Sequence, residues 1–259
     1  MKRRERSHLG GSFVRPLSAA FACVVAAMLF PGMASALTPD EVLARWQAAA
    51  GEITTLECDL EMHVRNRGAH GKLLQEFTQR RHLWCDKVNR RIRDRRENGP
   101  EDLWDGTMRK WKRWQDARVA QENLPDIISS VESLWPDPGY AVFPGLLIDP
   151  FEWELAIETS RSVKLVGRLR GAPREQLGQA RVELDFDMAR GVPLEVRTYA
   201  RLGELEERVR FKRFKKAGDH WVPELIKIRR NRQRNVEDWD LRYTFVSVNR
   251  ADPAAWDLP

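Results

Sequence analysis

The chain predicts an α+β protein made mainly of antiparallel strands with a small helical part. Alternation carries this prediction. In residues 181–188, Val182, Leu184, Phe186 and Met188 share one parity, while Glu183, Asp185 and Asp187 hold the other. Successive side chains on a strand point to opposite faces, so this spacing builds a sheet with one apolar and one wetted face. The pattern returns in Leu205, Val209 and Phe211, and again in Trp239, Leu241, Tyr243 and Phe245. Turn residues punctuate these runs, as in an antiparallel meander. A one-sided sheet of this size must cover its apolar face with helices, a second sheet or a ligand.

The N-terminus reads as a secretory signal over residues 1–36. Lys2, Arg3, Arg4 and Arg6 form a basic start, residues 17–30 an apolar core, and Ala34-Ser35-Ala36 a small-x-small cleavage pattern. The apolar run is short for a membrane span, and no comparable run follows. Arg3-Arg4 stands without the rest of the twin-arginine pattern, so ordinary secretion is expected. The apolar core continues past Cys23, which argues against acylation there. The expected mature chain, 37–259, is exported to a bacterial periplasm. The first 36 residues hold five of the 44 Lys and Arg and one of the 38 Asp and Glu, so the remainder carries a formal net charge of +2. The basic character of the precursor is therefore mostly a targeting feature, and the remaining 223 residues suffice for one domain.

Thr38-Pro39-Asp40-Glu41 predicts a helix start: Thr38 as N-cap, Pro39 in the first turn and Glu41 closing a capping box. Val42, Leu43, Trp46 and Ala50 then share one face, and Gly51 ends the helix. Leu56, Cys58, Leu60, Met62 and Val64 alternate with Glu57, Asp59, Glu61, His63 and Arg65, forming the clearest strand of the chain. Gly68 and Gly71 turn it into a second strand over 73–85, in which Phe77, Leu83 and Cys85 share a parity. A third, very basic strand is expected over 88–97. Trp104-Asp105-Gly106 followed by residues 108–114 reads as a further hairpin.

The middle changes character. Residues 124–134 read as a helix with Ile127, Ile128, Val131 and Leu134 on one face, broken at 135–139. A second short helix is expected over 140–148. Strands resume after Pro150, through turns at 189–191, 201–203 and 217–219.

Cys58 and Cys85 both survive cleavage, and an even count in an oxidising compartment favours a disulfide. Both lie on the apolar parity of their strands. A loop that pairs Arg67 with Lys72 does not bring them opposite each other, so the bond needs a bulge and stays open. Cys58, His63, His82 and Cys85 suggest a metal site, yet strand parity points the histidines and cysteines to opposite faces, so no metal is expected. Glu183, Asp185 and Asp187 are candidates for glycoside chemistry, with a solvated strand face as the plainer account. No nucleophile elbow, phosphate loop or dinucleotide fingerprint occurs, so no catalytic residue and no cofactor are expected. Arg90, Arg91, Arg93, Arg95 and Arg96, with Trp104, Trp111 and Trp114 nearby, have the makings of a nucleic-acid surface. Export and the small mature charge argue against nucleic acid, leaving a solvated sheet edge or an anionic partner. Ten tryptophans suit either a thick core or a pocket for acyl chains.

Several motifs together resemble the LolA-like family of periplasmic proteins that sort outer-membrane lipoproteins. They are the opening helix with Trp46, Ile53-Thr54-Thr55-Leu56 entering the first long strand, and Trp104-Asp105-Gly106 with Trp111. Leu184-Asp185-Phe186-Asp187, Gly191-Val192-Pro193, Trp221-Val222-Pro223, Val248-Asn249 and Trp256-Asp257-Leu258-Pro259 complete the set. The resemblance implies a curved antiparallel sheet, an incomplete barrel, with helices covering its concave apolar face. It also implies a non-enzymatic carrier or chaperone that binds acyl chains of lipoproteins or lipids, exchanging them with a membrane-bound donor or acceptor. On that reading Trp46, Leu56, Leu60, Met62, Phe77 and Leu184 line the cavity. Phe186, Phe211, Trp239, Leu241 and Tyr243 complete it. Arg91 or Arg93 stands in for the family's cavity arginine. A monomer is expected. A sensor on the same fold and an exported hydrolase are the competing readings.

Overall fold

Thirteen strands form one open antiparallel sheet in the computed structural model, which describes residues 37–105, 108–112, 119–123, 144–170, 181–200, 203–232, 235–250 and Trp256. Residues 1–36, Gly106, the helix expected over 124–134 and the break after it lie outside the described residues. So does all of the segment 140–148 before Pro144.

Helix α1 (Pro39–Gly51) starts as its sequence dictates. Thr38 Oγ1 accepts from the Glu41 amide at 3.3 Å, and Glu41 Oε2 accepts from the Thr38 amide at 2.8 Å. These reciprocal bonds satisfy amides that would otherwise have no partner in the first turn. Val42, Leu43, Trp46 and Ala50 form the buried face.

The strands run as two meanders that meet in the middle. β1 (Thr55–Arg67), β2 (Leu73–Asp86), β3 (Arg91–Arg96), β4 (Glu101–Asp105), β5 (Met108–Lys112) and β6 (Val119–Asn123) pair in sequence outward from β1. A four-residue helix, α2 (Gly145–Ile148), precedes the second meander. That meander is β7 (Phe151–Glu158), β8 (Ser162–Leu169), β9 (Arg181–Asp187), β10 (Val192–Tyr199), β11 (Leu205–Ala217), β12 (His220–Arg232) and β13 (Asn235–Val248). β13 pairs antiparallel with β1 and joins the halves. Every neighbour except that pair is sequential, so the sheet forms almost wholly by hairpin closure. β6 and β7 are its open edges, leaving an incomplete barrel.

The alternation read from the sequence holds. Leu56, Cys58, Leu60, Met62 and Val64 are buried on one face of β1, joined by Val182, Leu184 and Phe186 of β9 and by Leu241 and Tyr243 of β13. α1 packs on β7 and β10, and the Trp46 and Phe186 rings lie 6.3 Å apart. Trp153 Nε1 donates to the carbonyl oxygen of Ile148, tying α2 to β7.

The register answers one expectation left open, and the strand bounds correct another. The β1–β2 register sets Cys58 opposite Leu83 and Leu56 opposite Cys85, because a 3-10 turn at Ala69–Gly71 and a bulge at Asn66/Arg67 lengthen the connection. The cysteines are therefore diagonal neighbours, which in a sheet stand roughly 7–8 Å apart, somewhat less between Cβ atoms but beyond the roughly 4 Å Cβ separation of a disulfide. Both are buried and no disulfide joins them, and burial pushes the Cys58 thiol far up. The third strand also starts at Arg91 rather than near Val88, which sits exposed in the turn before it.

Candidate functional site

An apolar cleft opens beneath the C-terminal half of α1. Trp46, Ala49 and Ile53 form one wall, and Phe211, Trp221, Val222, Ile226, Tyr243 and Phe245 form the facing sheet. Val192 and Pro193 close one side, while exposed Arg190 and half-buried His220 stand at the rim. About 50 Å³ of open space remains inside. Gly191 makes this fit possible: its φ is +69°, and a Cβ there would lie 3.7 Å from Ala49 Cβ. A side chain would strain the turn exactly where it tucks under the helix.

Two aromatic residues of β11 break strict alternation. Phe211 and Phe214 stand three residues apart and both line the cleft. Between them Arg213 takes a left-handed conformation, with φ at +54° in the middle of a strand. That conformation resets the parity, at a cost of about 1–2 kcal/mol for a residue with a Cβ. Arg190 lies over both the Phe214 and Trp221 rings, at 5.7 and 5.2 Å, and Lys216 over Trp221 at 5.7 Å. Asp187 positions Arg190: its Oδ1 accepts from the Ala189 and Arg190 amides, and its Oδ2 pairs with the Arg190 guanidinium at 3.4 Å.

The C-terminal end of α1 is tied down. Asn249, left-handed at φ +57°, accepts from the Thr54 amide at 2.7 Å and donates to the Glu52 carbonyl oxygen at 2.8 Å. Lys87 Nζ donates to the Ala50 carbonyl oxygen at 2.6 Å, and His220 Nδ1 lies 3.4 Å from the Glu52 carboxylate. The N-terminal end carries its capping box and its packed apolar face.

The same sheet face turns polar on β2–β5. The register aligns Arg81, Asp94, Asp102 and Arg109 with the apolar residues of β1. Arg81 and Arg96 pair with Asp94 at 3.1 and 3.3 Å, and Arg96 and Arg109 with Asp102 at 3.4 and 2.7 Å. Asp102 is 1% exposed. Burial raises the Asp94 carboxyl above its ordinary range against the pull of Arg81 and Arg96, and burial likewise lowers the Arg81 guanidinium. Asp94 Oδ1 has no hydrogen-bond partner. Arg109 also lies over the Trp104 and Trp111 rings.

The opposite face is a lattice of ion pairs. Arg197 holds both Glu183 and Asp185, and Glu195 takes Arg208 and Arg210. Burial works against ionisation of Glu183, yet hydrogen bonds from Arg197 and Tyr199 hold it below its ordinary value. A general acid for glycoside chemistry needs the reverse, a raised pKa. His82 bonds Asp59 and Glu57 on this face, and His63 bonds Glu76. Arg93 is buried here against Glu101 and over Trp84, and Arg91 pairs with Asp105. Neither arginine proposed for the cavity faces it.

Of the residues expected to line a cavity, Trp46, Leu56, Phe211 and Tyr243 line the cleft. Leu60, Met62, Leu184, Phe186 and Leu241 are buried on the same sheet face outside it. Trp239 packs at the edge of that core beside Arg230, and Phe77 is 41% exposed at the far end of the β1–β2 hairpin. Sequence reasoning missed Phe214, Trp221, Val192 and Arg190 as lining residues. The Trp221-Val222-Pro223 and Gly191-Val192-Pro193 motifs were visible, but their convergence under α1 was not.

No family model matches the chain, and no curated protein matches it. Solved structures do. One is a LolA superfamily protein from Nitrosomonas europaea, with a TM-score of 0.49 and 14% identity over 85% of this chain and 97% of that one. Another is an outer membrane lipoprotein-sorting protein domain from Vibrio parahaemolyticus, with a TM-score of 0.48 and 15% identity over 83% and 95%. A DUF1329 family protein from Desulfovibrio piger gives 0.49 and 14% over 84% and 96%. At such identities the similarity lies in the course of the chain and not in its side chains.

Proposed function

We propose that this protein is a non-enzymatic carrier of lipid or lipoprotein acyl chains, exported to the periplasm by residues 1–36. The observation that carries this reading is the apolar cleft between a single three-turn helix and a large one-sided sheet. In the closed form its roughly 50 Å³ is far below the approximately 150 Å³ that an apolar cavity needs to hold benzene. Loading therefore requires α1 to move. Its C-terminal end is latched by Asn249 and Lys87, so the N-terminal end is the part that lifts.

The energetics permit such an exchange. Lifting α1 exposes Val42, Leu43 and Trp46, at about 1.5–3 kcal/mol each. An acyl chain that takes their place gains about 0.8 kcal/mol per buried CH₂, or roughly 8 kcal/mol for ten. The two sums are similar, so a chain can displace the helix and be displaced by it.

The test is native mass spectrometry of protein purified without detergent, together with titration of a fluorescent fatty acid. Bound lipid and saturable probe uptake, both lost in Phe211→Asp with the fold retained by circular dichroism, are the expected outcome. Protein free of lipid that also takes up no probe would remove the carrier reading.

A further inference from the structure

We infer that the end of the molecule formed by the β11–β12 hairpin and the β9–β10 turn docks on an anionic lipid bilayer, presenting the cleft mouth to it. The inference rests on the carrier reading and adds to it the surface with which cargo is exchanged.

Lys212, Arg213, Lys215 and Lys216 flank Phe214 on β11, giving four cations in five residues, all exposed. Arg190 joins them from the β9–β10 turn, lying over Phe214 and Trp221. Lys215 pairs with Glu224 at 3.7 Å, Arg190 with Asp187 at 3.4 Å, and Glu52 lies beside His220. Among the described residues Lys212, Arg213 and Lys216 carry no ion pair, and Asp219 is the acid of this end that no pair takes up. The charge left over is positive. It surrounds two half-buried aromatic rings that themselves line the cleft.

This composition fits a bilayer surface. Cationic side chains are drawn to phosphate-bearing headgroups, and amphipathic aromatics settle at the headgroup level. The left-handed Arg213 has a clear effect here. By resetting the strand parity it sends Phe214 to the cleft and Lys216 over Trp221, so rings and charges converge at one opening. An acyl chain leaving the cleft between Phe214 and Trp221 would pass directly into the leaflet.

The experiment is co-sedimentation of the full mature chain with vesicles of phosphatidylcholine alone or mixed with phosphatidylglycerol, at low and high salt. Binding to the anionic vesicles, weakened by salt and reduced roughly tenfold or more in Lys215→Glu/Lys216→Glu, is expected. Arg213→Gly keeps the left-handed backbone while removing one charge, and should weaken binding by a smaller factor. Equal binding to both vesicles, or binding unaltered by the double variant, overturns the inference. So does capture of a polyglutamate peptide in preference to anionic vesicles, or dimerisation through this end in light scattering. Fatty-acid uptake in solution separates the two readings. Uptake without vesicle binding removes the docking surface alone, and vesicle binding without uptake removes the carrier reading alone.

Discussion

The two halves of the apolar sheet face are closed in different ways. On β7–β13 the face is sealed by α1 through apolar packing centred on Trp46 against Phe186. On β2–β5 the same face carries Arg81, Asp94, Arg96, Asp102 and Arg109, joined in a chain of ion pairs. Apolar packing is non-directional, and one hydrocarbon can replace another at little cost. An ion-pair chain around buried carboxylates is directional, and removing an arginine leaves a buried charge short of a partner. On the carrier reading proposed above, the first half exchanges its cover and the second holds its shape while that happens.

The comparison can be broken first at Trp46. Trp46→Ala should cost about 3–5 kcal/mol in urea unfolding, the range for deleting a large buried aromatic. It should also speed uptake of a fluorescent fatty acid, because the cover is loosened. Next comes Asp102→Ala, which takes from Arg96 and Arg109 a carboxylate they share. It should cost about 3 kcal/mol, the low end for breaking a buried pair, because both guanidiniums keep a path to water. Fatty-acid uptake should stay unchanged. Equal effects of the two variants on uptake would erase the distinction between the halves.

The smallest effect is a matter of pH. Asp94 is raised by burial, so its unfolded carboxyl ionises first as pH climbs from its ordinary 3.8. The folded state binds the extra proton, and the stability it brings is present below 3.8 and lost as pH rises through the folded value. Glu195 is the opposite case. Burial opposes its ionisation, yet the hydrogen bond from Arg208 and the charges of Arg197 and Arg208 hold it below 4.5. Its contribution is present above 4.5 and lost as pH falls through the folded value. Relative to the parent, Asp94→Asn should gain stability as pH rises through the acid range, and Glu195→Gln should lose it. Denaturation midpoints across that range would show whether the two curves run in opposite directions.

Much of the scaffold was legible in the chain. The capping box of α1, the alternation of β1, β9 and β13, and the sharing of one face by Cys58 and Cys85 are local consequences of spacing. The site was legible only in part. Trp46, Leu56, Phe211 and Tyr243 were identifiable because each sits on an apolar parity. Phe214 was not, because strict alternation places it opposite Phe211, and only the left-handed Arg213 reverses that. Arg91 or Arg93 was offered for the cavity only through the family resemblance, and register turned both to the other face.

The sequence by itself determined that this is a one-sided antiparallel sheet with a capped amphipathic helix, since both follow from the period of the side chains. Tertiary structure decided the rest. The β1–β2 register stops two positions short of setting the cysteines opposite each other, because pairing depends on the turn rather than on the strands. Whether a face of alternating residues becomes a cleft or an ion-pair chain depended on which strands lie side by side and what covers them. Those are long-range pairings, and no local spacing encodes them.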